Sequence, residues 1–374
     1  MTSAFTDQAA AEARRTLAQT LADAGDLTDP QWRRAFEDVP RHVFVPYFYA
    51  PSGDRVSGDE RWFTAVHEDR SLVTHRTDGA ATSSSSQPSL MATMLEALAV
   101  TDGMSVLEIG AGTGYNAALL AHRLGDDRVT TVDIAEDITG PARERLATAG
   151  YHPPVITGDG SLGAPDRAPY DRIIVTCGLS TVPPALLQQL TDDGFLLAPL
   201  GNALARIHPT GPGTATGRFL PHGAFFMPLR HTPTDGVPTR RPPLPTGPGR
   251  PSTLPAKAIA DNHFRFLVGV AVPGLTWQYD LGENGEVTGA RVWHPDSSIA
   301  QLHPDATATE DGPRPLWTTL EEAHRTYQIA GRPTPDRYGI TIGSEVQRIW
   351  LDNPEGPSWG LESSIRNVNQ TENL

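Results

Sequence analysis

The strongest constraint on the fold of this chain is a glycine-rich turn between an apolar run and a helical one. Residues 106–121 read VLEIGAGTGYNAALLA, in which Glu108 stands near the end of a predicted strand and Gly110, Gly112 and Gly114 precede a predicted helix. Glycines let the backbone turn sharply and approach a ligand, and the first amides of the following helix are available to bind it. The segment therefore predicts a strand, a ligand-binding turn and a helix, in that order.

The turn lies inside a longer alternation of strand-like and helical segments. Between residues 88 and 201, short apolar runs (SVLEIG, RVTTVDI, PPVITGD, DRIIVTC and FLLAPLG) alternate with helical periods such as MATMLEALAV and YNAALLAHRL. Helices that alternate with strands at this spacing indicate a mostly parallel sheet covered on both faces. We therefore predict a doubly wound, Rossmann-like α/β fold for the core of the chain.

The remaining sequence divides the chain into three regions. Residues 1–230 are predicted to form the α/β domain, capped by two short N-terminal helices and extended by one or two strands within residues 217–230. Residues 231–255 hold eight Pro and three Gly and read as a linker or a long surface loop. Residues 256–374 predict a smaller α+β domain, with strands at HFRFLVGVAV and EVTGARVWH, a helix at LWTTLEEAHRTYQIAG and a hairpin from YGITIG to VQRIWL.

Composition narrows the range of partners. Thirty Lys and Arg against forty-four Asp and Glu give a net charge of −14, which repels a phosphate backbone, so no nucleic-acid partner is expected. The one cysteine, Cys177, cannot form an internal disulfide, and no Cys/His cluster has the spacing of a metal site. No apolar run approaches the length of a membrane span, and no signal peptide is evident. These features predict a cytoplasmic protein with no metal and no membrane partner.

Acidic residues at the ends of the next two predicted strands complete a candidate cofactor site. Asp133 ends VTTVDI, where a carboxylate can accept both hydroxyls of a ribose, and Asp159 stands between two glycines, where it can approach an adenine ring. Either residue alone is also typical of an ordinary turn. A dinucleotide is the competing ligand, but Tyr115 stands where its third fingerprint glycine would fall, and Glu108 favours a positively charged ligand. The pattern favours S-adenosylmethionine, a sulfonium methyl donor.

Segments outside the turn resemble the protein L-isoaspartyl (D-aspartyl) O-methyltransferases. The resemblance covers roughly residues 35–230 and rests on VPRHVFVP, EDRSL, SQPSLMATMLEAL, GDGSLGAPDRAPYDRIIVT and VPPALLQQLTDDGFLLAPLG. It implies that residues 1–230 form a methyltransferase domain that uses S-adenosylmethionine and releases S-adenosylhomocysteine. It also implies a donor site drawn from the turn and the strand ends: Gln87, Glu108, Gly110, Ala111, Gly112, Gly114, Tyr115, Asp133, Ile134, Asp159 and Gly160.

The same resemblance implies an acceptor site. The family carries a Thr-Ile-Ser-Gln-Pro signature, whose serine lies beside the methyl-accepting carboxylate. The equivalent residue here is Ser86. The resemblance places four further residues around the acceptor: Ser84, Ser85, Thr176 and Cys177. The sequence departs from the signature because hydroxyl side chains replace its apolar residue. A run of Ser and Thr is also typical of a flexible, solvated loop, and a buried, inert Cys177 is the alternative to a reactive one.

The C-terminal region leads to a more specific hypothesis. It is expected to have no counterpart in the ordinary repair enzymes, and its GRPTPDRYGITI and IWLDNPEGPSW stretches resemble extensions of relatives that act in lanthipeptide, lasso-peptide and graspetide maturation. The resemblance implies a carboxyl O-methyltransferase acting on an aspartate of a ribosomally made precursor peptide, whose methyl ester leads to aspartimide or isoaspartate. The alternatives are repair of isoaspartate in damaged proteins, a non-catalytic peptide-binding subunit, and methylation of a small molecule. The tryptophans of this region serve either packing or peptide recognition.

Overall fold

The computed structural model describes residues 5–77, 79–232 and 242–361. Its α-helices, numbered along the chain, are α1 (Asp7–Ala24), α2 (Pro30–Asp38), α3 (Arg41–Phe44), α4 (Glu60–Val66), α5 (Pro88–Leu98), α6 (Tyr115–Leu124), α7 (Glu136–Thr148), α8 (Pro184–Gln188), α9 (Ala256–Ile259), α10 (Asn262–Ala271) and α11 (Leu316–Ile329). Its strands are β1 (Phe48–Tyr49), β2 (Arg55–Val56), β3 (Leu72–Thr77), β4 (Ala80–Ser85), β5 (Val106–Ile109), β6 (Val129–Asp133), β7 (Val155–Thr157), β8 (Tyr170–Val175), β9 (Leu190–Leu200), β10 (Ala203–Gly211), β11 (Thr214–Gly223), β12 (Arg250–Pro251), β13 (Thr276–Leu281), β14 (Val287–Trp293), β15 (Ile299–Leu302), β16 (Thr307–Asp311), β17 (Tyr338–Ile342), β18 (Gln347–Leu351) and β19 (Ser358–Leu361). Residues 233–241 of the predicted linker and 362–374 of the predicted C-terminal domain lie outside the described residues.

The described chain is built around a ten-stranded sheet in the order β19-β18-β17-β11-β10-β9-β8-β5-β6-β7. Strands β7, β6, β5, β8 and β9 run parallel, and the neighbouring pairs from β9 to β19 are antiparallel. The chain leaves β5 to add β6 on one side and later β8 on the other, and such a switch point is where open α/β sheets bind ligands. The predicted doubly wound α/β fold is confirmed, within a sheet that is mixed.

Both faces of the parallel strands are buried. In β5, Leu107 and Ile109 belong to one apolar core and Val106 belongs to another. In β9, Leu196 lies in the first of these cores and Phe195 in the second. Because side chains alternate between the two faces of a strand, these runs are apolar throughout only where each face is covered. Helices α1 and α2, the predicted N-terminal cap, lie with α5 and α6 on one of these faces.

The region beyond residue 250 covers the opposite face. Strands β12 to β16 form a five-stranded antiparallel sheet, and α10 and α11 share one continuous apolar core with β5, β8 and β9. Strand β17 pairs with β11, so β17 to β19 extend the central sheet. The predicted domain division differs from this arrangement, because residues 338–361 complete the central sheet and residues 250–251, assigned to the linker, pair with β16. Long-range strand pairing of this kind has no local sequence signal.

One predicted strand is a helix. The run HFRFLVGVAV corresponds to α10, which begins after Asp261, whose carboxylate accepts hydrogen bonds from the amides of His263 and Phe264. Its Val and Phe residues favour a strand by propensity, but Phe264, Leu267 and most of their apolar neighbours are buried in the shared core, and this burial overrides propensity. The predicted strand at EVTGARVWH, the helix at LWTTLEEAHRTYQIAG and the terminal hairpin are present as β14, α11 and β17–β18.

A small antiparallel sheet, in the order β2-β1-β3-β4, carries the serine run. It has its own apolar core around Phe48, Trp62 and Val66. Its outermost strand, β4, ends at Ser85, immediately before α5 begins at Pro88. The serine run is therefore a strand rather than the solvated loop that was its alternative, and its end lies beside the first helix of the α/β core.

Phe266→Ala is expected to destabilise the whole chain rather than its C-terminal region alone. Phe266 is 1% exposed, and its ring centroid lies 4.9 Å from those of Phe219 in β11 and Tyr338 in β17. Truncating a buried phenylalanine to alanine costs about 3–5 kcal/mol. We expect one urea-unfolding transition by circular dichroism, with the free energy of unfolding lowered by that amount.

Ile329→Ala is the matched control, since Ile329 is 82% exposed, and it should change the free energy of unfolding by less than ~0.5 kcal/mol. Two separate transitions, only one of which responds to Phe266→Ala, would contradict a shared core.

Candidate active site

A cavity of about 800 Å³ opens at the carboxyl ends of β5, β6 and β8. Its wall has four parts: the turn after β5, the ends of β6 and β8, the segment from β4 into α5, and residues 221–230 at and after the end of β11. Within the strands most side chains are apolar and both faces are covered, so the polar groups that can reach a ligand are those at these ends.

The glycine-rich turn forms one side of the cavity. Gly110 has φ of 103° and Gly112 has φ of 52°, both in the left-handed region that favours glycine. A β-carbon at Gly110 would lie 2.5 Å from the Thr176 hydroxyl, which donates a hydrogen bond to the Gly110 carbonyl at 2.8 Å. Thr176, predicted at the acceptor site, thus lines the cavity and also holds the turn against the end of β8.

Asp133 closes the cavity at the end of β6. Its carboxylate accepts hydrogen bonds from the backbone amides of Gly112 and Ile134 at 2.9 and 2.8 Å. Burial raises its pKa, and these two bonds oppose the shift. Asp133 is the one carboxylate among the described residues that line the cavity. Each carboxylate oxygen has a second lone pair, so Asp133 can also accept from ribose hydroxyls, as its position at the strand end predicts.

The structure brings most of the predicted donor-site residues to this cavity. The residues that line it are Gln87, Gly110, Ala111, Gly112, Tyr115, Asp133, Ile134 and Gly160. Gln87 also donates from Nε2 to Asp69 at 2.9 Å, and Asp69 accepts the amide of Ser89 at the start of α5. Glu108, Gly114 and Asp159 are not among the cavity-lining residues, and their place in the donor site stays a prediction.

Glu108 lies behind the turn. Its carboxylate is fully buried and accepts hydrogen bonds from Asn116 Nδ2 at 2.7 Å and Thr131 Oγ1 at 2.5 Å. Burial raises its pKa to about 7, although the two bonds act in the opposite direction. Alternation along β5 turns Glu108 away from the face of Ile109, which lines the cavity. Its role in the structure is to connect β5 with β6 and α6.

Gly114 and Asp159 also have structural partners. Gly114 has φ of 87°, and a β-carbon there would lie 3.3 Å from the Ala142 carbonyl, so glycine lets α6 begin against α7. Asp159 accepts the amide of Ser161 at 2.9 Å and pairs with Nδ1 of His231 at 3.1 Å. The carboxylate therefore caps the short 3-10 helix that follows, and its neighbour Gly160 is the residue that reaches the cavity.

A buried arginine that the sequence analysis missed supports the serine run. Arg41 of α3 donates hydrogen bonds to three carbonyls within residues 66–70, to the Ser86 carbonyl at 3.2 Å and to the Ser85 hydroxyl at 3.4 Å. Burial lowers its pKa to about 10, so it remains a cation at neutral pH. The one available signal was a charged residue inside the apolar motif VPRHVFVP.

The predicted acceptor residues Ser84, Ser85 and Ser86 all line the cavity, on the side that faces the glycine-rich turn. A β-carbon on Gly112 would lie 3.5 Å from the Ser84 carbonyl oxygen and 3.6 Å from the hydroxyl of Ser83. The backbone of the turn and that of the serine run are therefore adjacent. The serine run therefore lies next to the part of the turn at Gly112.

Residues 225–230, which follow β11, form a further wall of the cavity. The sequence analysis assigned this segment only as part of a possible strand. The amide of Gly178 donates to the Met227 carbonyl at 2.8 Å, and the amide of Leu229 donates to the Gly178 carbonyl at 2.8 Å. Arg230 continues across the cavity and donates to the Thr82 carbonyl of β4 at 3.5 Å. The signal for this wall was the apolar run AFFMP directly after the last strand of the predicted domain.

Cys177 lines the cavity next to this wall. Burial raises the pKa of its thiol, so the thiol stays protonated at neutral pH and is a poor nucleophile. This environment favours an inert Cys177 over a reactive one.

Within residues 5–77, 79–232 and 242–361, no group of three or more His, Cys, Asp and Glu side chains is arranged to hold a metal ion. Among the helices of the same ranges, none is long and apolar enough to cross a bilayer.

The sheet order, the glycine-rich turn after β5 and the acidic end of β6 define a class I methyltransferase, whose cofactor is S-adenosylmethionine. The close backbone approach at Gly110 and Gly112 and the lone pairs of Asp133 fit its nucleoside. Comparison with known proteins gives the family. Residues 12–210, more than half of the chain, match the family described as Protein-L-isoaspartate(D-aspartate) O-methyltransferase. The chain belongs to this family.

Individual relatives agree with this assignment. The protein-L-isoaspartate O-methyltransferase of Methanococcoides burtonii is 35% identical over 212 residues, which are 54% of this chain and 93% of the relative. The protein of the same name from Thermococcus sibiricus is 39% identical over 188 residues, which are 50% of this chain and 76% of the relative.

A solved structure extends the comparison to the C-terminal region. A chain titled protein-L-isoaspartate O-methyltransferase aligns over its whole length with 91% of this chain, at 22% identity and a TM-score of 0.54. Residues 1–255 are too short to account for 91% of 374 residues, so the similarity of fold continues into the C-terminal region. The extension beyond the length of the ordinary repair enzymes is as expected, since 212 aligned residues already cover 93% of the Methanococcoides burtonii relative.

Asp133→Asn is expected to weaken S-adenosylmethionine binding by about 10- to 100-fold, because an amide replaces a charged acceptor of hydrogen bonds. The dissociation constant can be measured by isothermal titration calorimetry. Asp127→Asn, at an exposed position, is the matched control and should bind the cofactor as the unchanged chain does. Equal affinity of Asp133→Asn and the unchanged chain would remove Asp133 from the donor site.

The raised pKa of Glu108 predicts a pH-dependent stability. The folded-state pKa is about 7 against an ordinary 4.5, so protonation favours the folded state. This contribution is complete below the ordinary pKa and is lost as the pH rises through about 7. Glu108→Gln, which cannot ionise, should therefore gain stability relative to the unchanged chain, by roughly 3 kcal/mol between pH 4.5 and 8.

Urea unfolding of both proteins at several pH values measures this difference, with the exposed Glu144→Gln as the control that should show no such trend. A difference in stability between Glu108→Gln and the unchanged chain that stays constant with pH would mean that folding does not raise the pKa of Glu108.

Proposed function

We propose that this chain transfers a methyl group from S-adenosylmethionine to the carboxylate of an isoaspartyl residue in a polypeptide. The observation that carries the proposal is the adjacency of the donor turn and the serine run, since Gly112 and Ser84 line one cavity with their backbones in near contact. Membership of the family and the names of its relatives support a carboxylate as the acceptor.

The donor side of the cavity has the groups that a nucleoside requires. Asp133 accepts hydrogen bonds, and the glycines at 110 and 112 leave the backbone of the turn open to close approach. When bound, S-adenosylmethionine supplies an electrophilic methyl group on a positively charged sulfur. The chain's own contribution is to fix the position of the donor relative to the serine run.

The acceptor side is suited to an anion. A carboxylate has oxygen acceptors only, and the hydroxyls of Ser84, Ser85 and Ser86 are donors. The guanidinium of Arg41 lies directly behind Ser85 and Ser86 and places a positive charge on this side of the cavity. An acceptor carboxylate is ionised at neutral pH, so attack on the methyl carbon needs no general base. In agreement with this chemistry, the described cavity wall has no second carboxylate beside Asp133.

The wall at residues 225–230 completes the site. Two backbone hydrogen bonds to Gly178 fix it, and its apolar side chains, among them Phe226 and Met227, face the same cavity as the serines. An apolar wall limits the access of water, which competes with the acceptor for both the methyl group and the serine donors.

The methyl ester then reacts further by its own chemistry. The backbone nitrogen of the following residue attacks the ester carbonyl, a C–N bond forms, and the C–O bond to the methoxy group breaks. The amide proton leaves with the methoxy group as methanol, and the product is a succinimide. Hydrolysis of the ring gives aspartate and isoaspartate.

A second candidate acceptor is an ordinary aspartate in a ribosomally made precursor peptide. The feature that favours it is the run of hydroxyls from Thr82 to Ser86, which lines the acceptor side in place of the more apolar family signature. Additional donors on this wall can hold a carboxylate whose peptide backbone is placed differently from that of isoaspartate.

Mass spectrometry distinguishes the two candidate acceptors. A linear isoaspartyl peptide and its aspartyl counterpart are each incubated with the chain and S-adenosylmethionine. We expect the isoaspartyl peptide to gain the mass of one CH2 group and its aspartyl counterpart to remain unchanged. Methylation of the aspartyl peptide alone would favour the second candidate. No formation of S-adenosylhomocysteine with either peptide, although the donor binds, would contradict the proposal and favour a non-catalytic peptide-binding role.

Ser86→Ala tests the acceptor side in the same assay. Loss of one hydrogen bond to a charged acceptor should lower kcat/KM for the isoaspartyl peptide by about tenfold or more, with S-adenosylmethionine affinity unchanged. Ser57→Ala is the control, since Ser57 is exposed and directly follows β2 of the same small sheet. A Ser86→Ala chain with normal kcat/KM would remove this serine from the reaction.

A further inference from the structure

A row of ring and guanidinium contacts connects the cavity with the C-terminal region. The Arg265 guanidinium carbon, on α10, lies 4.7 Å from the ring centroid of Phe225 and 5.7 Å from that of Tyr279. Tyr279 stacks with Trp277, with centroids 6.2 Å apart and ring planes at 20°. We name Phe225, Arg265, Tyr279 and Trp277 the aromatic strip.

The aromatic strip begins at the cavity itself. Phe225 lines the cavity and is 44% exposed, so its ring forms part of the rim. The other end lies on β13, the outermost strand of the five-stranded sheet within the described chain. Tyr279 and Trp277 are partly buried against the common core and partly accessible.

The other tryptophans of this region do not form such a path. Trp317 and Trp350 are almost fully buried, and Trp350 lies in the central sheet. Trp359 packs beside Tyr338 in β17, and Trp293 of β14 has no ring contact with the aromatic strip among the described residues. Trp277 is the one for which described contacts lead, through Tyr279 and Arg265, to the cavity. It is therefore the tryptophan whose position suits recognition rather than packing alone.

The chemistry of the aromatic strip matches an extended polypeptide. Tyrosine, tryptophan and arginine dominate binding surfaces because they combine apolar area with hydrogen-bonding groups. Two buried polar atoms of the strip, Arg265 Nε and Tyr279 Oη, have no hydrogen-bond partner among the described residues. Its three successive contacts are 4.7, 5.7 and 6.2 Å long, so the strip reaches at most about five residues of extended chain at 3.3 Å per residue.

We propose that the acceptor polypeptide leaves the cavity over Phe225 and lies along the aromatic strip, with apolar or aromatic residues that flank the acceptor carboxylate packed on Tyr279 and Trp277. This inference rests on the proposed function, because the occupant is the substrate of that same site. It assigns the C-terminal region a share in substrate affinity that the methyl-transfer step does not require.

Point variants test the inference better than truncation, because residues 338–361 complete the central sheet. Tyr279→Ala and Trp277→Ala are assayed with two synthetic peptides centred on the same isoaspartyl residue. One peptide ends close to that residue, and the other carries several apolar residues on each side. Ile329→Ala, which removes a highly exposed side chain of α11, is the matched control.

We expect both variants to raise KM for the long peptide by about tenfold, with kcat unchanged and with normal KM for the short peptide. Equal effects on the two peptides, or none on the long one, would overturn the inference. A change in the mass of the protein by light scattering, with peptide kinetics unaffected, would assign the strip to self-association instead.

The proposed function and the inference fail in different ways. If the unchanged chain methylates neither peptide, the isoaspartyl acceptor is wrong, and binding of the fluorescently labelled long peptide is then measured by anisotropy. Weaker binding to Tyr279→Ala than to the unchanged chain supports the strip in that case too, and equal binding overturns it.

Discussion

The burial of both faces of the parallel strands is the constraint on which the rest of this structure depends. Leu107, Ile109 and Val106 show it within one strand, since successive side chains enter different cores. The polar groups that can reach a ligand are thereby those at the strand ends, where the backbone has to turn. Gly110, Gly112 and Asp133 lie at such ends, and Thr176 follows another. The candidate active site therefore lies at the carboxyl ends of the buried strands.

This constraint also explains how much the sequence could predict. The alternation of apolar runs and helices gave the fold class, and the strand ends gave Gly110, Gly112 and Asp133, because both signals are local. Glu108 was assigned to the ligand from its position near the same turn. Its direction depends on the pleat of β5, which turns its carboxylate toward Asn116 and Thr131. A position near a turn does not reveal on which side of the strand a side chain lies.

The features that sequence reasoning missed are made by long-range contacts. Arg41 joins the turn before β3 to the serine run, and Phe225 to Arg230 are held by Gly178, more than forty residues away. The helix at 262–271 was mistaken for a strand because its valines satisfy strand propensity, whereas its burial is set by β11 and β17. Ser86 and its neighbours were predicted at the acceptor site only because a resemblance marked their position, since a run of five hydroxyl residues carries no structural signal of its own.

The pairing of β11 with β17 has a consequence for how the chain is made. Thr216 and Thr341 are partners, and more than a hundred residues, including a whole second sheet, lie between them. On the ribosome, the outer edge of β11 and the apolar face behind it emerge long before the segment that covers them. The chain therefore passes through a stage in which an unpaired strand edge is open to misassociation, and its slowest folding events are expected after synthesis has passed β17.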